Sequence, residues 1–170
     1  MNELQRVKSE HEGMLLQFES ENRTYFAESI NDRGDDFFEK FAERHLELLA
    51  EQEAGACAYY VLVDDETVLG RFNLYDLIDG TANAGYRVAQ RFSGRGVATF
   101  GLSELCLIAR KKHALRILRA TTSNENVASQ RVLIKAGFVV LGTAEVVGRL
   151  GMLYELNLES PDRHENKCLQ

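Results

Sequence analysis

Apolar and polar positions along the chain alternate between helical and strand periods, and the order of those periods predicts an α/β arrangement. Met14, Leu15, Phe18, Tyr25 and Phe26 recur at roughly helical intervals after Ser9-Glu10-His11-Glu12, a capping-box pattern that predicts a first helix. Gly34-Asp35-Asp36 opens a second predicted helix, with Phe37, Phe38, Phe41, His45, Leu48 and Leu49 on one side. His45 reads as a helix-face residue, because no second histidine stands at metal-binding spacing. The run ACAYYVLVDDETVLGRFNLYDL then changes to strand character. It splits at Asp64-Asp65-Glu66, which predicts a hairpin. TANAGYRV, residues 81–88, reads as a third strand. Leu102, Leu105, Ile108 and Ala109 mark a long helix over about residues 95–112, and Arg116 to Thr121 reads as a short strand. Asn124 opens a helix that stops at Gly137, the usual glycine position beyond a helix C-terminus. Residues 138–147 and 152–158 predict a closing hairpin around Gly148–Gly151, and the polar tail SPDRHENKCLQ is expected to fray. No repeat or linker interrupts this order. One domain over residues 1–160, followed by a polar tail at 161–170, is the expected organisation.

Composition narrows the class. With 170 residues, 45% hydrophobic and 27% charged, the chain has enough apolar material for a core, and only one proline and no tryptophan. No apolar run approaches the roughly 20 residues that cross a bilayer, and MNELQRVKSEHEG lacks the features of a signal peptide, so a cytoplasmic protein with no membrane partner is expected. Cys57, Cys106 and Cys168 are odd in number and widely spaced, which suggests neither a disulfide framework nor a metal site. Cys57 and Cys106 read as core thiols.

Charge is unevenly distributed. Residues 1–54 hold 6 basic and 14 acidic side chains, a net of −8 within a chain whose net charge is −6. Residues 87–119 carry Arg87, Arg91, Arg95, Arg110, Lys111, Lys112, Arg116 and Arg119 against Glu104 alone, a net of +7. A local basic stretch in an acidic chain points to a compact anionic ligand, whereas a nucleic-acid surface would make the domain basic overall. Arg110 to Lys112 also read simply as a solvated helix end favouring the negative pole.

The strongest chemical signal is Arg91-Phe92-Ser93-Gly94-Arg95-Gly96-Val97-Ala98-Thr99, after a strand and at the start of the long helix. Its glycines let a ligand approach the backbone, and free N–H groups at the helix start favour a phosphate. A Walker loop is excluded because no Gly-Lys-Ser/Thr follows. A dinucleotide fingerprint fails at Thr99, where its third glycine belongs, and Arg116 stands about 20 residues on where an acid is required.

What remains is (Gln/Arg)-x-x-Gly-x-(Gly/Ala), met by Arg91, Gly94 and Gly96, with Asn124-Glu125-Asn126-Val127-Ala128-Ser129 and a final Gly137-Phe138 downstream. Together these resemble the coenzyme A loop and following helix of the GNAT superfamily of N-acetyltransferases, on its ribosomal-protein-alanine (RimJ/RimL-like) branch. The resemblance spans about residues 57–158; residues 1–54 share only their helical character. It implies a mixed, mostly antiparallel central sheet flanked by helices and splayed at the cofactor site. It also implies an acetyl-CoA-dependent transfer to a primary amine, either a protein N-terminus or a small molecule, by direct attack and without a metal. Backbone amides from Gly94 through Arg95, Gly96, Val97 and Ala98 to Thr99 would hold the pyrophosphate, helped by the Arg91 or Arg95 side chain. The backbone at Val88 and Ala89 would pair with the pantetheine arm, and Asn126 would bond the pantetheine or phosphate region. Ser129 would protonate the departing thiolate or merely position it, and no tyrosine stands in the 127–136 helix to take that role. Asn124 reads equally as a plain N-cap.

No base stands out: Asp76, Asp79 and Glu145 are candidates at strand ends near the expected acceptor cleft, and each reads more simply as a solvated turn charge. A silent acyl-CoA-binding module on the same fold is the alternative reading. A toxin-type enzyme acting on aminoacyl-tRNA is disfavoured by the acidic first third, whose Asp32, Asp35, Asp36, Glu39 and Glu43 are expected to draw in a protonated amine. No nucleic-acid partner is expected, and the assembly would be a monomer or homodimer.

Overall fold

The computed structural model describes residues 3–159. A seven-stranded sheet crosses the molecule: β1 (Gln5–Arg6), β2 (Ala58–Asp64), β3 (Thr67–Ile78), β4 (Thr81–Val88), β5 (Ile117–Ser123), β6 (Val139–Val146) and β7 (Arg149–Asn157). Their spatial order is β1-β2-β3-β4-β5-β7-β6, and every neighbouring pair is antiparallel except β4 and β5. The helices are α1 (Glu12–Glu21), α2 (Arg23–Phe26), α3 (Asp35–Glu39), α4 (Phe41–Glu53), α5 (Val97–His113) and α6 (Val127–Lys135). The mixed, mostly antiparallel α/β fold expected from the sequence is what forms.

Alternation along β2 divides the core between the two faces of the sheet. Tyr60 and Leu62 join Phe72, Leu102, Leu105, Leu133 and Phe138 under α5 and α6. Tyr59, Val61 and Val63 join Leu15, Phe18, Phe26, Phe37 and Phe41 under the N-terminal helices. Both faces of β2 are covered, which is why its sequence is a continuous apolar run.

The element boundaries show where local signals were incomplete. Ser9 is not the expected cap: Ser9–His11 form a 3-10 turn, and the buried His11 ring accepts the Lys8 N–H at 3.0 Å. The two long N-terminal helices each break, at Asn22 and at Lys40. His45 lies buried with Nε2 2.9 Å from the Lys8 carbonyl, a structural contact. The β2–β3 turn is Asp65-Glu66, both at positive φ, as a two-residue turn matched to the strand twist requires. The last hairpin turns at Val147-Gly148 instead of around Gly148–Gly151, and β1 carried no readable signal. The polar tail, with Cys168, lies outside the described residues.

Between β4 and β5 the sheet opens. Their parallel pairing is confined to Thr81–Asn83 against Ile117–Arg119, while β4 continues to Val88 paired with β3. This splay places a free backbone edge directly before the glycine loop.

Candidate active site

The chain leaves β4 at Val88, passes through a 3-10 turn at Gln90–Phe92, and enters α5 at Val97. Gly94 and Gly96 both lie in the left-handed region, at φ 73° and 81°, and an added Cβ at either would meet nothing within 4 Å. Backbone conformation, not crowding, selects glycine here, and the space beside the loop is open. Gly96 caps α5 with no side-chain hydrogen bond, so the first-turn N–H groups around Val97, Ala98 and Thr99 are left without a side-chain partner. An anion is the natural ligand for such a helix start.

Two contacts from the N-terminal helices fix this loop. Asn22 Oδ1 accepts the Gln90 N–H at 2.9 Å, and the Tyr25 hydroxyl donates to Ser93 Oγ at 3.4 Å. The break at Asn22 thus has a local purpose: its side chain also donates to the Phe18 carbonyl and ends α1 where the loop must be held.

The individual loop residues divide. Val88 ends β4 beside the gap, and Ala89 is buried, with its N–H donated to Leu69 O and its carbonyl accepting from Phe92 N. The Ala89 N–H is therefore taken within the fold, and its carbonyl, which can accept a second hydrogen bond, is the one backbone group it keeps for a ligand. Strand alternation directs the Val88 N–H and carbonyl to the opposite side, into the gap. Arg91 lies over the Phe92 ring at 4.9 Å and lines a shallow recess with Gln17, Glu21 and Asn22. Arg95 is exposed at the helix start.

Across the gap, β5 runs into α6. Asn126, not Asn124, is the N-cap: its Oδ1 accepts the Ser129 N–H at 3.1 Å, leaving the amide NH2 for any ligand. Asn124 instead donates its N–H to Leu150 O and accepts from Gln130. Ser129 Oγ accepts a hydrogen bond from the Tyr86 hydroxyl at 3.2 Å. Tyr86 belongs to β4 and stacks on the buried Phe72 ring at 6.0 Å, and burial raises its pKa, which keeps the hydroxyl protonated as a donor. The Tyr86–Ser129 bond thus bridges the two lips of the splay. The sequence offered no signal for this partner, because the two residues stand 43 apart and belong to elements of different period.

Other candidates fall away from the gap. Asp76 lies at an irregularity near the end of β3 and Asp79 in the β3–β4 turn, both at the paired end of β4, where Asp76 accepts from Asn83 at 3.1 Å. Glu145 is exposed on the edge strand β6. Burial pushes the Cys106 thiol up to about 12, leaving it no role as a nucleophile.

The basic stretch also separates in three dimensions. Arg110, Lys111 and Lys112 end α5, about 20–25 Å along a 17-residue helix from the glycine loop. Arg119 pairs with Glu155, and Arg87 with Glu19, so Arg91 and Arg95 alone of that stretch stand at the loop. Within the acidic third, Arg23 bonds Asp32 and Asp35, and Asp36 bonds Lys40 and Arg44, while Glu39 and Glu43 make no ion pair among the described residues. Arg23 holds the Asp32 carboxyl down at about 2. Among the described residues, no group of three or more His, Cys, Asp or Glu could hold a metal, and no helix is long and apolar enough to cross a membrane.

Comparison with known proteins agrees with this geometry. The acetyltransferase (GNAT) domain family matches residues 3–139, taking in the N-terminal helices as well as the glycine loop. The chain is 28% identical over 148 residues to the probable N-acetyltransferase YjcK of Bacillus subtilis (strain 168), covering 82% of this chain and 81% of that one. Its fold superposes on the ribosomal-protein-S5-alanine acetyltransferase of Vibrio fischeri with a TM-score of 0.86 at 20% identity, over 92% of this chain and 93% of that one. RimJ of Mycobacterium smegmatis, solved with a coenzyme A disulfide, gives 0.81 at 22% identity over 91% and 80%. With a glycine-cradled helix start, a splayed β4–β5 edge and a family match over most of its length, the chain belongs to the GNAT acetyltransferase family.

Proposed function

We propose that this acetyltransferase moves the acetyl group of acetyl-CoA to a primary amine, a protein N-terminus or a small-molecule amine, within a RimJ/RimL-like branch. The observation that carries the reading is the left-handed Gly94–Gly96 cradle at an uncapped helix start, beside a splay bridged by Tyr86 and Ser129. The amides from Gly94 through Thr99, with Arg95 and Arg91, hold the pyrophosphate. The Val88 backbone pairs with the pantetheine arm, and the Asn126 amide NH2 donates to it.

The amine nitrogen attacks the thioester carbonyl, the carbon–sulfur bond breaks, and the departing thiolate takes a proton from Ser129 Oγ, which regains one when the nitrogen sheds its extra proton through water to become the amide. Tyr86 donates to the same oxygen, leaving the Ser129 proton to point elsewhere, toward sulfur. The ammonium proton leaves through water before attack. Much of the acceleration then comes from holding two reactants in register, with no covalent enzyme intermediate. We read the chain as one cytoplasmic domain over residues 1–160, acting as a monomer or homodimer without nucleic acid, membrane or metal.

Coenzyme A binding by calorimetry tests the loop, and thiol release from acetyl-CoA with an added amine tests the chemistry. We expect about micromolar affinity, weakened at least tenfold by Gly96→Val, which places a branched residue at φ 81°. Equal affinity in that variant would refute the loop assignment. Tight binding without turnover on any amine would favour the alternative, a silent acyl-CoA-binding module.

A further inference from the structure

On the face of the sheet opposite α5, one carboxylate is shared by two guanidinium groups. Glu19 of α1 is only 2% exposed and accepts from Arg71 Nη1 at 2.8 Å and from Arg87 Nη1 at 3.0 Å. One negative charge thus answers two positive ones in a desolvated place, where an uncompensated charge is costly. Arg71 is enclosed, its Nε without a hydrogen-bond partner. Arg87 differs. Its Nε and Nη2 also make no hydrogen bond with any described residue, yet they are not among the enclosed unpartnered atoms.

Arg87 opens onto a pocket that Arg23, Phe26, Asp32 and Arg33 also line. The Phe26 ring lies 5.2 Å from its guanidinium carbon and holds the plane of the group. Neither carboxylate of that pocket is left over, because Glu19 is shared between Arg71 and Arg87 and Asp32 is bound bidentately by Arg23 at 2.9 and 2.7 Å. Arg33 rests over the Phe37 ring at 4.7 Å and has no carboxylate partner among the described residues. The pocket therefore presents surplus positive charge, and the free Nε–Nη2 edge of Arg87 is the fork that matches a carboxylate with two parallel hydrogen bonds.

The position connects this pocket to the transfer reaction. Arg87 lies between Tyr86, bonded to Ser129, and Val88 at the open edge of β4. Alternation turns it to the face of the N-terminal helices, opposite Tyr86. A molecule anchored on Arg87 from that face lies one residue from the splay, where the acetyl group must be delivered.

We propose that Arg87, supported by Arg33, is a carboxylate-binding subsite for the acceptor, so that the preferred amine carries a carboxylate a few bonds away. This rests on the acetyl-transfer reading above. An acidic side chain at the N-terminus of a peptide and the α-carboxylate of a free amino acid both supply that chemistry. A simple polyamine or aminoglycoside does not, and would meet the surplus charge with its own.

The test uses the full chain with acetyl-CoA and paired acceptors: peptides differing only in an N-terminal Asp against Asn or Glu against Gln, and free amino acids against their α-amides. The acidic member of a pair should have a kcat/KM about 10–100-fold higher, a ratio set by one bidentate contact. Preference among the peptides identifies the side-chain source; preference among the free amino acids identifies the α-carboxylate. Arg87→Lys keeps a cation beside Glu19 but removes the fork, and should bring the ratio to near one. Should that variant fail to fold, the exposed Arg33→Gln should still lower the ratio at least threefold. Equal rates for acid and amide, or a preference that survives both substitutions, would overturn the subsite. A second readout needs no turnover: N-acetylglutamate should raise the melting temperature of the parent more than N-acetylglutamine does. If no amine is acetylated, the transfer reading fails, and this comparison alone decides the subsite. An equal shift with the two compounds then overturns it.

Discussion

Replacing Gly101 with alanine sets two opposing effects against each other. Gly101 lies inside α5, where alanine is favoured over glycine by about 1 kcal/mol. Its missing side chain is also what lets the helix settle onto the sheet. An added Cβ would stand 2.1, 2.4 and 2.5 Å from three ring atoms of Phe72, against an ordinary carbon–carbon contact of about 3.5–4.0 Å. The ring must retreat by more than an ångström, yet it is fully buried and stacked on Tyr86. Overpacking of this kind costs about 1–3 kcal/mol, and a larger cost is expected for a rigid ring with no exit. The clash should therefore win, for a net loss of about 1–3 kcal/mol, or about 3–10 °C in melting temperature for a chain of this size. The displacement should also reach the active site, since Phe72 carries Tyr86 and Tyr86 holds Ser129 at 3.2 Å. Turnover with acetyl-CoA should drop about tenfold. Gly13→Ala is the control: Gly13 lies in α1 with nothing within 4 Å of its added Cβ, so that variant should gain about 0.5–1 kcal/mol. Urea and thermal unfolding of both variants give the comparison. If Gly101→Ala stabilises as Gly13→Ala does, the close approach of α5 to Phe72 is not what selects glycine there.

Tyr86→Phe should lower kcat about tenfold while changing coenzyme A affinity less than threefold, and Ser129→Ala should lower it roughly tenfold to a thousandfold. Because the two act through one hydrogen bond, the double variant should lose less than the product of the two losses; strict additivity would refute the coupling. Glu19→Gln leaves two buried guanidinium groups without their carboxylate and should cost about 3–5 kcal/mol in urea unfolding, a loss under about 1 kcal/mol counting against the triad. Iodoacetamide at pH 8 should leave Cys106 unmodified in the native protein and label it in urea, read by peptide mass spectrometry. Native labelling as fast as at half-buried Cys57 would contradict its raised thiol pKa.

What the sequence by itself determined was whatever depends on a few consecutive residues. Gly94 and Gly96 were legible because only a residue without Cβ takes φ near 73° and 81° at little cost, and their spacing survives any tertiary setting. Strand β4 and helix α5 were legible from their periods, and so were the Asp65-Glu66 turn and the Gly137 stop. Tertiary structure alone decided which of these pieces meet. Tyr86 finds Ser129 only because β4 and β5 part after three residues and leave α6 facing the freed edge. Glu19 gathers Arg71 and Arg87, 52 and 68 residues away, because β3 and β4 pair Arg71 opposite Arg87 under α1. The same register separates what sequence had placed together, scattering the basic stretch 87–119 over both ends of α5 and both faces of the sheet. The breaks at Asn22 and Lys40 were hidden too, since helical periodicity runs through both positions, while Asn22 is drawn out of α1 by a loop 68 residues on. Periodicity records how a segment turns its own side chains, and carries no term for the strand or helix that a folded chain will bring against them.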